Sequence, residues 1–199
     1  MAIKKRPCVV TSSSGQSLVE FAMLLPFVLV IALGVVEVGW ALLDSLVVTS
    51  LSREGSNLIS RDTSLQDAGT ALTSMSSLPV NFASGSSVIF SVVRMGATTG
   101  TANYNALVLY QRYQFGSFLG SAQSQVTSAG GSFGGAPDYQ AMNADNDTSL
   151  QVTGLPANLI VVPGGTIYIT EIFTTHTWIT PLNNFGISAP QTLYSIAYF

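Results

Sequence analysis

Two carboxylates stand where a chain this apolar has least use for charge. Glu20 heads an apolar run, directly after the polar stretch Thr11-Ser12-Ser13-Ser14-Gly15-Gln16-Ser17, and Glu37 is the single charge within residues 21–43. Their chemistry is pairing: a lone acid in lipid costs on the order of 2.5–3.5 kcal/mol on an insertion scale, so each needs a partner or a route to water. For Glu20 the plainest interaction is with a helix macrodipole, worth about 0.3–1 kcal/mol. Glu37, near the far end of the run, either snorkels outward or pairs with a partner. Other constellations are weaker. Asn143, Asp145 and Asp147 alternate like ligands of a calcium loop, but Thr148 stands where Gly is usual and Gly154 where a bidentate Glu belongs, which leaves a solvated turn. His176, the only histidine, has no carboxylate at ligand spacing in its Thr-rich, strand-like surroundings. Asn146-Asp147-Thr148 has the glycosylation pattern, which matters only on a eukaryotic secretory route. The pairs Gly130-Gly131 and Gly164-Gly165 lack a following Lys-Ser/Thr, so no phosphate loop is indicated.

Composition narrows the function further. The 199 residues are 47% hydrophobic and 9% charged, which excludes disorder driven by charge. Seven basic residues are too few for the stripe a nucleic-acid binder needs. Three of them, Lys4, Lys5 and Arg6, lie together near Cys8, and only Arg53, Arg61, Arg94 and Arg112 follow. Past residue 15 the chain has neither Cys nor Lys, hence no disulfide framework, thiolate zinc site or thiol nucleophile. With one His and no recognisable triad, neither an enzyme nor a cofactor is expected.

The apolar run Phe21–Leu43 is 23 residues long. As a helix it reaches about 35 Å, enough to cross a bilayer core of about 30 Å with some tilt. The basic cluster before it puts the N-terminus in the cytoplasm and exports the rest. The run exceeds the apolar core of a secretory signal, and no small-x-small site follows it, so a signal anchor fits better. Pro26 removes a backbone hydrogen bond mid-helix and predicts a bend.

Gly15-Gln16-Ser17-Leu18-Val19-Glu20-Phe21 reads G-x-x-x-x-E-F after a basic leader. This resembles the processing site of Flp/Tad-type (type IVc) prepilins, and the continuation Glu20-Phe21-Ala22-Met23-Leu24-Leu25-Pro26 resembles the TadE-like pseudopilin family. Gly34 to Gly39 with Glu37 between them, and Ser52-Arg53-Glu54-Gly55, are similar to the same family. The resemblance covers roughly residues 15–61. Beyond them, Trp178-Ile179-Thr180-Pro181-Leu182 resembles the family's aromatic-x-Pro-Leu segment. The resemblance implies a cut between Gly15 and Gln16 by an integral-membrane prepilin peptidase, with Glu20 and Phe21 completing the motif. Gly15 lets an extended backbone approach the protease carboxylates. It implies that Glu20 pairs with the new amine of a neighbouring subunit's Gln16. It also implies a minor pilin of the bacterial inner membrane, with other pilin subunits, the assembly platform and membrane lipid as partners, that helps initiate an adhesive pilus and supports biofilm formation. More than a hundred residues follow the helix, which favours a minor over a major pilin. Gln16 occupies the position where type II secretion pseudopilins usually carry an aromatic, so that relative is the second choice. An uncleaved signal-anchored binding domain is the alternative from another class.

The expected organisation is a leader at 1–15, a transmembrane and amphipathic helix at 16–61, and an extracytoplasmic α+β domain at 62–199. Leu43, Val47, Leu51 and Leu58 predict the buried side of the helix's second half, and 64–75 a short second helix. Runs at 86–94, 106–115, 166–173 extending towards Trp178, and 192–199 predict a four- or five-stranded antiparallel sheet packed on that half, a pilin-like architecture. Residues 116–149, rich in Gly, Ser, Ala and Asn, form a long insertion, either mobile or functional. It is expected to be partly ordered, anchored by Phe118, Phe133 and Tyr139, and displayed on the filament surface.

Overall fold

The computed structural model describes residues 14–118, 122–186 and 191–199; the basic leader lies outside them. The fold is α+β. Helix α1 runs Ser14–Ile59 and α2 Leu65–Met75, followed by β1 Ser87–Met95, β2 Leu107–Gly116, β3 Thr127–Ser128, β4 Val152–Thr153, β5 Thr166–Thr175 and β6 Thr192–Tyr198. The chain divides into two compact units: Met1–Trp40 with Trp178–Ser188, and Ala41–Thr177 with Ala189–Phe199.

The second unit is built on a four-stranded antiparallel sheet of order β2-β1-β5-β6. Its rows alternate between two faces, as the pleat dictates. Phe90 stands opposite Tyr113 and Thr170, and Thr170 opposite Ala197. This row meets the second half of α1. Val48, Leu51 and Ile59 of α1 and Leu65, Ala68 and Leu72 of α2 share one core with Val88, Phe90, Val92 and Ile172. Helix α2 is fixed at its start by Ser64, whose Oγ accepts from the Asp67 amide at 3.1 Å.

The buried side of α1 differs from the predicted one. Leu43 is 55% exposed, Val47 and Leu58 are half-buried, and of the four residues only Leu51 is buried. The sheet instead meets Val48, Ser52, Gly55, Ser56 and Ile59, a stripe of helical period in which small residues replace large apolar ones. Small residues win because the helix lies close. A Cβ on Gly55 would come within 2.7 Å of Thr170 Cγ2 and 3.2 Å of Phe90 Cε1. The hydroxyls are satisfied by the edge strand: Ser56 Oγ donates to the Ala197 carbonyl at 3.0 Å, and Ser52 Oγ bonds Ser195 Oγ at 2.8 Å. Gly55→Val should therefore cost about 1–3 kcal/mol by overpacking. Thermal unfolding of the detergent-solubilised chain would show it, and an unchanged midpoint would contradict the close approach.

The other face of the sheet is covered by the insertion. Val93, Leu109, Ile167 and Ile169 share a second core with Val126, Ala141 and Leu150. Strand β3 pairs with β4, and the Ala141 amide donates to the Tyr110 carbonyl at 2.7 Å along the outer edge of β2. All three predicted anchors engage: Phe133 packs on the second core and Phe118 lies 6.1 Å from Phe173, while Tyr139 stacks at 4.3 Å on Tyr113, which packs on the first core, on the α1 face. This explains why β1 is buried on both sides from Ser87 to Val93. The insertion is half of a sandwich around the sheet, with α1 and α2 as the other half. Within it, Asp147 caps a 3-10 turn, accepting from the Ser149 amide at 3.0 Å and the Ser149 hydroxyl at 2.5 Å, so its carboxylate serves the backbone.

Candidate functional site

The motif residues lie at the start of α1. Gly15 is the second residue of the helix, with nothing among the described residues within 4 Å of the position a Cβ would take. Gln16 Nε2 donates to Glu20 Oε1 at 2.9 Å, one turn apart on an exposed surface. Phe21 is 65% exposed, and α1 continues through Pro26 without interruption. The most apolar 18-residue window of this helix has a mean hydropathy of 2.6 and none of it is buried inside the structure. That is a helix long and apolar enough to cross a membrane.

Glu37 is 5% exposed and serves as an acceptor. Its Oε2 takes the Thr180 amide at 2.9 Å and the Thr180 hydroxyl at 2.6 Å, and its Oε1 takes the Ile179 amide at 3.4 Å. Burial without snorkelling is possible because these donors replace water. The segment that supplies them is the stretch Trp178-Ile179-Thr180-Pro181-Leu182. Its geometry follows from its residues: Pro181 opens a 3-10 turn at Pro181–Phe185, and Gly186 closes it with φ 78°. Leu182 is 3% exposed. The run predicted to continue as strand towards Trp178 instead stops at Thr175.

His176 therefore lies just past β5, not within a strand. Its amide donates to the Gln191 carbonyl at 2.6 Å, and its ring Nδ1 lies 2.7 Å from Asp44 Oδ2, both side chains buried. The sequence reading missed this pair because the partner is 132 residues away.

A second missed centre is Glu171. It is fully buried in mid-β5, on the face opposite α1. Its Oε1 accepts from the Gln125 amide at 2.8 Å and the Tyr194 hydroxyl at 2.8 Å, and its Oε2 from the Ser124 hydroxyl. Arg112 donates to the Val126 carbonyl at 3.0 Å. Burial lowers the Arg112 guanidinium from its ordinary value, and the negative charge of Glu171 opposes that. Burial, then the Glu171 hydrogen bond, raises Tyr194 far above the usual tyrosine range; Tyr198 is raised by burial and by the same charge. The arrangement holds a charge that latches the insertion to the sheet, with each oxygen occupied by a donor. The signal in the sequence was one acid within the otherwise β-rich run Thr166–Phe173.

No curated protein and no solved structure matches the chain. Residues 15–57 match the family model described as TadE-like protein, from Gly15 into the stripe that meets the sheet, as far as Ser56 of that stripe. Over that segment, and on that evidence, the chain is similar to the TadE-like family.

Proposed function

We propose that the chain is a minor pilin, or pseudopilin, of a Tad-type adhesive pilus. It enters the bacterial inner membrane with its N-terminus in the cytoplasm, is cut between Gly15 and Gln16 by a prepilin peptidase, and takes part in initiating assembly. The observation that carries this reading is the family match, which starts at Gly15 and covers the apolar helix with both acids. Three further features support it. The basic residues Lys4, Lys5 and Arg6 precede the helix, as a cytoplasmic leader requires. Glu20 is exposed at the helix start, where the amine freed at Gln16 of a neighbouring subunit would pair with it. Leu42 and Leu43 at the end of the apolar run and Leu46 just beyond it are exposed, an apolar side on which neighbouring helices can pack.

The test is assembly in a cell that builds the pilus. Removing this chain should abolish or sharply reduce surface pili. Glu20→Leu should still be cut yet disappear from the sheared pilus fraction and fail to restore piliation. Normal piliation without the chain would contradict the reading.

A further inference from the structure

The chain has two tryptophans, Trp40 and Trp178, and both belong to the same compact unit although 138 positions separate them. From Phe21, where the apolar run begins, Trp40 lies about 28 Å along the helix, against a hydrocarbon core of about 30 Å. Trp40 therefore falls at the outer boundary, where tryptophan is enriched because its ring is apolar and its N–H is not. Trp40 is 44% exposed. Glu37 lies one turn further in. Its burial there is sustained by Thr180 and Ile179, so the segment following Trp178 is brought to the same depth. Ile179, next to Trp178, is 49% exposed although its amide is bonded to Glu37. An isoleucine turned outward beside a tryptophan, on a loop tied to a membrane helix at its boundary, has lipid as its chemically matched neighbour.

We infer that residues 178–180 form a membrane seat: Trp178 and Ile179 lie in the outer lipid interface, held there by the Glu37 carboxylate. This rests on the reading that α1 spans a bilayer. It goes beyond that reading by giving the loop between β5 and β6 a lipid contact of its own. Glu37 then holds the loop and the helix of this unit at the interface together.

Tryptophan quenching tests this with the full chain in vesicles of phosphatidylcholine and phosphatidylglycerol, brominated either near the carbonyl end or near the methyl end of the acyl chains. Trp40→Phe leaves Trp178 as reporter, and Trp178→Phe leaves Trp40. Both reporters should lose more emission to the shallow bromine than to the deep one. If Trp40 is quenched and Trp178 is not, the helix spans and the seat is wrong, as it would be if protein covered the loop. If neither is quenched, the spanning reading itself fails, and the seat with it. Glu37→Ala should reduce quenching of Trp178 and leave that of Trp40 unchanged. Undiminished quenching of Trp178 in that variant would overturn the role of Glu37.

Discussion

Gly15→Val should leave the leader attached. In cells with an active prepilin peptidase the wild-type chain is expected to lose its first fifteen residues, whereas the variant should keep the full mass, an all-or-none difference read by intact-mass measurement. Cleavage requires the backbone around Gly15 to extend against the protease carboxylates, and a β-branched side chain blocks that approach. In the folded chain Gly15 lies in the first turn of α1, so the turn must open before it can be cut. Glycine eases that opening, being about 1 kcal/mol worse than Ala in a helix. The substitution also separates processing from folding. Among the described residues nothing approaches Gly15, so a valine there meets none of them and α1 should keep its helicity. A variant that is inserted, helical and cut as readily as wild type would remove Gly15 from the motif.

Glu171→Ala is expected to cost the most stability, about 3–5 kcal/mol, the usual consequence of removing one side of a buried charged cluster. It strands three donors, from Ser124, Gln125 and Tyr194, and leaves Arg112 without the charge that offsets its burial. Because Ser124 and Gln125 belong to the insertion, the insertion should loosen first, seen as faster amide exchange at 124–128 than along β1. Equal protection in variant and wild type would contradict the latch. Alkali should act on the same centre. Tyr194 is raised in the folded state, so the fold holds its phenolic proton where the unfolded chain has released it. The associated stability is fully present below the ordinary tyrosine value of about 10 and is lost as pH climbs beyond it. Tyr194→Phe should flatten that alkaline loss.

Local chemistry made most of the fold legible. The apolar run, the Ser64 cap and the β-rich runs each specify their element within a few residues, and α2 and all four main strands lie close to where their periodicity places them. The exceptions share one cause, contacts between residues far apart in sequence. Leu43, Val47 and Leu58 predict an apolar interface on α1, but the helix approaches through Ser52, Gly55 and Ser56, which only the nearness of Thr170 and Ala197 explains. The unbroken run Val88-Ile89-Phe90-Ser91-Val92-Val93 already lacks the alternation of a half-exposed strand. The second covering layer was nonetheless missed in the sequence; Val126 and Ala141 of the insertion, with Leu150 just after it, supply it. Of the candidate residues, Gly15, Gln16, Glu20 and Phe21 form a motif of local spacing, which is why the sequence alone suffices to propose them. The partners of Glu37, His176 and Glu171 were not, since each bond joins segments that only the folded chain brings together.

The central claim is that this chain is a substrate of a prepilin peptidase. Intact mass with N-terminal sequencing tests it most directly, on protein co-expressed in a bacterial membrane with either an active or a catalytically dead Tad prepilin peptidase. The account predicts a form beginning at Gln16 with the active enzyme alone. An N-terminus at residue 1 or 2 with both enzymes would contradict it and leave an uncleaved, signal-anchored protein.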